Sequence, residues 1–291
     1  RDGESFGKSA LRAVDVTELT CDAGTITEEV LSYGGRYFRL NREGGQAELT
    51  VSFGSEIPLF SMISADETAA FYASGTTNNS LLSMKRTFDL TKAGAQVALS
   101  FRIATDLETD FDYLYLLSST DGEKSWTQLQ LPGGSDQNLS GFNLGNGLTG
   151  ASGGWRDVSL DLSSFSGKQV VLRFDVITDQ AVTGEGVLLK DFRLSDAMGL
   201  SVSADDGWEM MGWSRYESNR TPVSFAFVSI ESNPNEKDAA VETSFPESGV
   251  PITMHCNFND ASASFCGFAL AGLNRQSRSP GQFTVQVSCS D

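Results

Sequence analysis

Four carboxylates fall on alternate residues of Ala104-Thr-Asp106-Leu-Glu108-Thr-Asp110-Phe-Asp112-Tyr113, between two apolar runs. Residues two apart on an extended chain share a face, so these charges repel unless something separates or neutralises them. One reading makes them the solvated tip and outer face of a strand-loop-strand, which alternation in a half-exposed strand produces. A second folds a turn around a hard cation such as calcium, which takes six to eight oxygen ligands and removes the repulsion. Asp106, Glu108, Asp110 and Asp112 are then the candidate ligands. No D-x-D-x-D-G run is present, so an EF-hand-type loop is excluded. A third reading uses Glu108 and Asp112 as the acid and base of a hydrolase that works with carboxylates alone.

Other chemistries fail on composition. His255 is the single histidine of 291 residues, so an H-E-x-x-H zinc site cannot be built. It adjoins Cys256, and neighbours on a strand point to opposite faces, which argues against a shared metal. Gly150-Ala-Ser152-Gly-Gly154 and Gly3-Glu-Ser5-Phe-Gly7 both spell G-x-S-x-G, but a nucleophile elbow needs a strand before it, a helix after it and a histidine base. Gly145-Asn-Gly147-Leu-Thr-Gly150 spells G-x-G-x-x-G and is followed by more glycine and serine where a dinucleotide site needs a helix. With 21 basic and 38 acidic residues the net charge is -17, which excludes nucleic acid as a partner. No apolar stretch reaches 18 residues, so no membrane insertion is expected.

The elements that must position these groups follow period two. Arg36-Leu40, Glu48-Phe53, Val97-Ile103, Tyr113-Leu117, Asp157-Leu162, Val170-Ile177 and Phe283-Ser288 alternate apolar and polar residues, separated by Gly, Asn, Asp and Ser clusters. No window of 12 residues holds a 3.6-residue period, so the fold class is all-β. Leu131 to Gly154, with eight glycines, reads as a long surface loop. Cys256 and Cys266 flank an apolar-polar-apolar segment that fits two short strands with a cross-strand disulfide. Cys21 and Cys289 form a second candidate pair, although spacing alone does not choose among the three pairings of four cysteines. N-x-[ST] triplets at Asn78, Asn138 and Asn219 lie in polar stretches and are candidate glycosylation sites. Cysteines and triplets together point to an extracellular or cell-surface location. The chain begins at Arg1 without a leader, which reads as a mature product or a fragment.

Further residues carry a resemblance. Phe111-Asp-Tyr-Leu-Tyr-Leu-Leu-Ser-Ser-Thr-Asp-Gly-Glu-Lys-Ser-Trp126 resembles the W-D-Y-x-Y-V-x-V-S-T-D-G-G-x-x-W segment of the MAM-like jelly-roll module that lies downstream of the catalytic domain in secreted metallopeptidases of the immune inhibitor A family. Trp155 to Phe174 is similar to its W-x-x-x-x-x-D-L-S-x-Y-A-G-x-x-V-x-L-R-F segment, and Val176-Ile-Thr-Asp179-Gln-Ala-Val-Thr-Gly-Glu-Gly186 to its Y-V-T-D-x-A-V-x-G-x-G segment. The family's I-D-D-I strand reads Leu189-Lys-Asp-Phe192 here. It keeps Asp191 as a further candidate calcium ligand and replaces the acidic neighbour with Lys190, which weakens a cation site built on that pair. The peptidase signature has no counterpart, so the resemblance is to the non-catalytic accessory region.

The resemblance and the strand count imply a MAM-like jelly roll over 60-200 and an immunoglobulin-like sandwich from 33-59 with 201-291, after an N-terminal arm or linker at 1-32. An independent C-terminal sandwich over 201-291 is the alternative layout. The function expected is an exported, non-enzymatic binding or adhesion module for glycan or protein at the cell surface, with calcium as a structural ion. A structural subunit that self-assembles into a surface layer or filament is the second expectation.

Overall fold

The computed structural model describes residues 15–199, 201–231, 240–258, 265–274 and 277–290. Two compact units divide the chain, one formed by Arg1–Phe60 with Arg220–Asp291 and the other by Ser61–Asn219. Both are β-sandwiches, so the chain is all-β.

The discontinuous unit carries β1 (Val16–Leu19), β2 (Thr25–Val30), β3 (Gly35–Asn41), β4 (Gln46–Phe53) and β5 (Glu56–Pro58) from its first segment. From its second come β17 (Arg220–Pro222), β18 (Phe225–Glu231), β19 (Ala240–Ser244), β20 (Ile252–Asn257), β21 (Phe265–Gly272) and β22 (Gly281–Ser290). One sheet has the order β1-β3-β21-β18-β19 and the other β2-β22-β4-β20. Alternation sends Leu49, Val51 and Phe53 of β4 inward, and Phe38 of β3 meets Phe283 of β22 edge to face at 5.8 Å. Such aromatic pairs contribute about 0.5–1.5 kcal/mol beyond their burial. A ribbon of β5 with β17 joins the segment that leaves this unit to the segment that re-enters it.

Two disulfides, Cys21–Cys289 and Cys256–Cys266, tie this sandwich together. The second was expected across a hairpin, but its strands belong to different sheets: β20 pairs with β4, and β21 pairs with β3 and β18. Ala47 of β4 has Cys256 as its partner on one side and Cys289 on the other, so both bonds lie at one end of the sandwich.

The continuous unit carries β6 (Phe71–Ser74), β7 (Leu81–Asp89), β8 (Ala98–Asp106), β9 (Tyr113–Ser119), β10 (Thr127–Leu129), β11 (Arg156–Asp161), β12 (Gln169–Ile177), β13 (Gly186–Ser195), β14 (Ser201–Ser203), β15 (Glu209–Met211) and β16 (Trp213–Tyr216). Its sheets run β10-β9-β12-β7-β15 and β11-β8-β13-β6-β16, with β14 against β13. Phe101 of β8 packs on Phe174 of β12 at 5.4 Å and on Phe192 of β13 at 5.2 Å, with Trp208 against Phe192 at 4.6 Å. Each buried side chain of this size contributes roughly 1.5–3 kcal/mol.

Three expected boundaries change. Residues 201–219 join the jelly-roll unit and not the immunoglobulin-like sandwich, because β14, β15 and β16 pair with β13, β7 and β6 and because Trp208 and Trp213 complete its core. Residues 201–291 are not an independent sandwich, since β21 and β22 pair with β3 and β4. The segment expected to be an arm or linker at 1-32 holds two strands: β1 lies parallel to β3, β2 pairs with β22, and Leu19 and Val30 are buried.

Lys190, the departure from the family's acidic strand, is buried on β13. Its ammonium lies 2.6 Å from Glu67 Oε2 and 4.8 Å from the centre of the Trp155 ring, whose Nε1–H donates to the same oxygen at 3.1 Å. Removing one partner of a buried pair strands the other charge. The Glu67→Ala variant is therefore expected to lose about 3 kcal/mol and roughly 6–12 °C of the continuous unit's melting temperature, with Glu67→Gln recovering part of it; a change under 1 °C by calorimetry refutes the assignment.

Ser61–Asn219 contains no cysteine. Closing a loop of 268 residues stabilises by roughly 5 kcal/mol in the chain-entropy model. Reductant is expected to lower the melting transition of the discontinuous unit alone. Calorimetry of the full chain should show one transition lowered by dithiothreitol and one unchanged, and both transitions falling together would contradict this division.

Candidate functional site

The acidic run lies where β8 ends, turns through 107–112 and enters β9. Glu108 O accepts the Asp112 N–H at 3.0 Å and the Thr149 hydroxyl at 3.0 Å, which ties the turn to the long 131–154 segment. That segment folds back onto the five-stranded sheet. Leu148 exchanges backbone hydrogen bonds with Leu114, the Leu144 N–H donates to Tyr115 Oη at 3.0 Å, and Asn143 binds the carbonyls of Ser135 and Gln137. Gly147 lies against the tyrosines of β9, where an added Cβ would stand 2.6 Å from the Tyr113 ring. The G-x-G-x-x-G spelling thus serves close packing.

Among the described residues, carboxylate oxygens of Glu108, Asp112 and Asp179 lie within 4.8 Å of one another. Asp112 is 1% exposed, and its Oδ1 accepts the Asp179 N–H at 2.9 Å. Glu108 Oε2 is shielded from solvent with no hydrogen-bond partner. Burial pushes the Asp112 carboxyl above its ordinary range, the Asp179 N–H opposes that, and the Asp179 charge adds to it. Burial likewise raises Glu108, helped by the charges of Asp179 and Asp112. Three converging carboxylates, one with an oxygen that has no hydrogen-bond partner among the described residues, can supply part of the oxygen shell of a hard divalent cation.

The structure brings together only two of the five residues expected from sequence. Asp106 points elsewhere and accepts the Glu185 N–H at 2.7 Å, beside Gly184, where a Cβ would lie 1.9 Å from the Asp106 carbonyl oxygen. Asp110 has φ 68° and its carboxylate lies outside the group, because the turn must reverse there to bring Asp112 inward. Asp191 sits on β13 at a bulge with φ 57°, exposed, 3.8 Å from Lys190 Nζ, and also lies outside the group. Asp179 was missed as a ligand, although the Val176–Gly186 motif contains it; nothing in local spacing ties it to a residue 67 positions away.

The other sequence candidates fall into structural roles. Ser152 accepts the Thr105 N–H at 2.9 Å and donates to the Gly154 carbonyl at 2.7 Å; Gly3-Glu-Ser5-Phe-Gly7 lies outside the described residues. His255 is exposed, 3.5 Å from Glu48, and Ser288 pairs with the opposite side of Glu48. That order, with the acid in the middle and about 9.5 Å between the serine and histidine strands, cannot make a histidine-activated serine. Asn78 and Asn138 are exposed, whereas Asn219 is 0% exposed and donates to the Ser64 carbonyl at 3.0 Å, so a glycan cannot sit on it in the folded state.

Above the carboxylates the loop end is apolar. Phe111 is 37% exposed and Phe142 50%, with ring centroids 6.0 Å apart, and Leu139 and Leu144 are more than 70% exposed. In the adjoining 178–185 loop, Val182 holds φ 55°, which a β-branched residue rarely adopts.

Comparisons with known proteins agree on one part of the chain. Bacillopeptidase F of Bacillus subtilis is 32% identical over 98 residues, 34% of this chain and 6% of that protein. Pre-pro-metalloprotease PrtV of Vibrio cholerae is 33% identical over 103 residues, 35% of this chain and 10% of that protein. Immune inhibitor A of Bacillus thuringiensis is 35% identical over 109 residues, 37% of this chain and 14% of that protein. The similarity thus spans a small fraction of each relative. A solved surface-associated copper-binding protein of Methylomicrobium album aligns over 96% of this chain and 99% of its own at 6% identity, with a TM-score of 0.25, too low to argue a shared fold. The family model described as immune inhibitor A-like, MAM domain, matches residues 51–214, more than half of the sequence, and the chain belongs to that family.

Proposed function

We propose that the chain is an exported, non-enzymatic binding and adhesion module, the accessory part of a metallopeptidase-like precursor, that recognises glycan or protein at the cell surface. The carrying observation is the loop end of the jelly-roll unit, where Phe111, Leu139, Phe142 and Leu144 stand in solvent near a carboxylate cluster centred on buried Asp112. Clustered apolar exposure on a rigid scaffold marks interaction surfaces, and binding residues concentrate on loops. Two disulfides suit an oxidising, extracellular compartment. The carboxylates serve poorly as a hydrolase pair, since Asp112 is buried and cannot reach a substrate.

Calcium completes the reading as a structural ion held by Glu108, Asp112 and Asp179, with backbone or water oxygens filling its shell. An acid whose folded pKa is raised contributes stability below its unfolded pKa and loses it as pH rises through the folded value. In chelator, the jelly-roll transition is therefore expected to fall as pH rises from mildly acidic to neutral. At a calcium concentration about a hundredfold above Kd, the gain is about 2.7 kcal/mol, or roughly 5–10 °C. Asp112→Asn should abolish the calcium response while melting no lower than wild type in chelator. Calorimetry that finds no calcium-dependent shift at neutral pH disposes of the ion.

For recognition, a glycan array and a pull-down of cell-surface proteins are expected to return a ligand whose affinity drops roughly tenfold or more in a Phe111→Ser, Phe142→Ser double variant. Both assays returning nothing would overturn the proposed function.

A further inference from the structure

The three loops at this end, 106–112, 131–154 and 178–186, contain Asp106, Glu108, Asp110, Asp112, Asp136, Asp179 and Glu185 and no lysine or arginine. The gap extends into the sheet: no basic residue occurs in 103–123, 125–155 or 174–189. Elsewhere the same unit intersperses its cations with acids, as in Lys85 with Glu123 and Arg173 with Asp175. Arg156, beside Gly133, marks the root of the long loop.

Several of the seven acids have work of their own. Glu185 accepts the N–H groups of Ser61 and Met62, Asp106 accepts that of Glu185, and the carboxylates of Glu108, Asp112 and Asp179 form the proposed cation site. Half-buried Asp110 directly precedes Phe111, and exposed Asp136 lies in the long loop, where its Oδ1 accepts the Asn146 N–H at 2.8 Å. The surface thus offers apolar faces beside acidic side chains, with no lysine or arginine in its own three loops. A negative field repels phospholipid and acidic glycans and draws lysine or arginine. Exposed phenylalanine faces accept apolar side chains and cations alike. They lack the N–H or O–H with which tryptophan and tyrosine can bond a sugar hydroxyl.

We infer that the loop end of the jelly-roll unit docks a polypeptide segment that interleaves lysine or arginine with apolar residues. The inference rests on the recognition function proposed above and selects protein over glycan as the partner.

Selection of random peptides of about 12 residues displayed on phage, with the full chain as bait in calcium, tests it. Enriched peptides are expected to carry net positive charge and at least one large apolar residue. Their affinity should fall roughly tenfold or more with Phe111→Ser, Phe142→Ser and roughly threefold with Asp110→Asn, which removes the charge while keeping a residue that tolerates φ 68°, at unchanged melting temperature, and should fall as salt rises. No enrichment, enrichment of neutral or acidic peptides, or binding indifferent to both variants overturns the inference. A positive glycan array with no peptide enrichment would leave the recognition function standing and remove only this partner class; both empty would remove both.

Discussion

A carboxylate buried at the foot of β9 is the constraint around which the loop end of the jelly roll is arranged. Ionised, Asp112 at 1% exposure needs compensation that the backbone N–H groups of Asp179 and Glu108 only begin to supply, because withdrawing a charge from water costs several kcal/mol even after relaxation. Glu108 and Asp179 bring further negative charge within 4.8 Å. Packing alone does not select such an arrangement, since an apolar residue at 112 would bury at a gain. The cluster thus carries an electrostatic cost, which raises the carboxyls of Asp112 and Glu108, at the point where the turn after β8 meets the loop after β12.

The exposed aromatics follow from the same turn. Reversing the chain between β8 and β9 so that Asp112 faces inward leaves Phe111 facing out, and the left-handed conformation of Asp110 makes the reversal. The long loop is then fixed by bonds to that turn: Thr149 to the Glu108 carbonyl, the Asp110 N–H to Thr149 Oγ1 at 3.1 Å, and Ser140 to the Asp110 carbonyl. Phe142 is placed against Phe111 by the Ser140 bond and by Asn143, which closes its own turn. A buried charge below and an apolar surface above are therefore two faces of one backbone path.

The strands were legible because alternation is local. Each of the seven period-two runs, from Arg36–Leu40 to Phe283–Ser288, overlaps a strand, and the Asp121-Gly122 turn is held by Ser119, Ser125 and the N–H groups of Lys124 and Ser125, which depress the Asp121 carboxyl to about 2. What stayed hidden depends on contacts between distant segments. Spacing marks Asp106 and Asp110 as equivalent to Glu108 and Asp112, and only the turn separates them. Asp179 is supplied by the end of β12, and Asn219 lies in a polar stretch whose burial comes from the Ile63–Ser64 backbone. Lys190 looked like the loss of a ligand because its partner Glu67 stands 123 residues earlier. The strands of 201–219 and of 16–30 are short, and partners in distant segments, not periodicity, assign them to their sheets.

The two sandwiches solve one physical problem differently. Each must hold two sheets together at an end where long connections replace tight turns. In the discontinuous unit the solution is covalent: Cys256–Cys266 crosses between the sheets, and Cys21–Cys289 ties the β1–β2 turn to β22, with Cys256 and Cys289 on either side of Ala47. The jelly roll has no cysteine, and polar contacts hold its loops: the Glu67, Lys190 and Trp155 cluster on the β8–β13 sheet, and the Glu108, Asp112 and Asp179 cluster where β9 and β12 meet their loops. The first cluster carries its own cation. The second has no lysine or arginine within its three loops, and that asymmetry separates an ion pair completed within the unit from a group of like charges whose Glu108 and Asp112 carboxyls are pushed upward by burial and by neighbouring carboxylates.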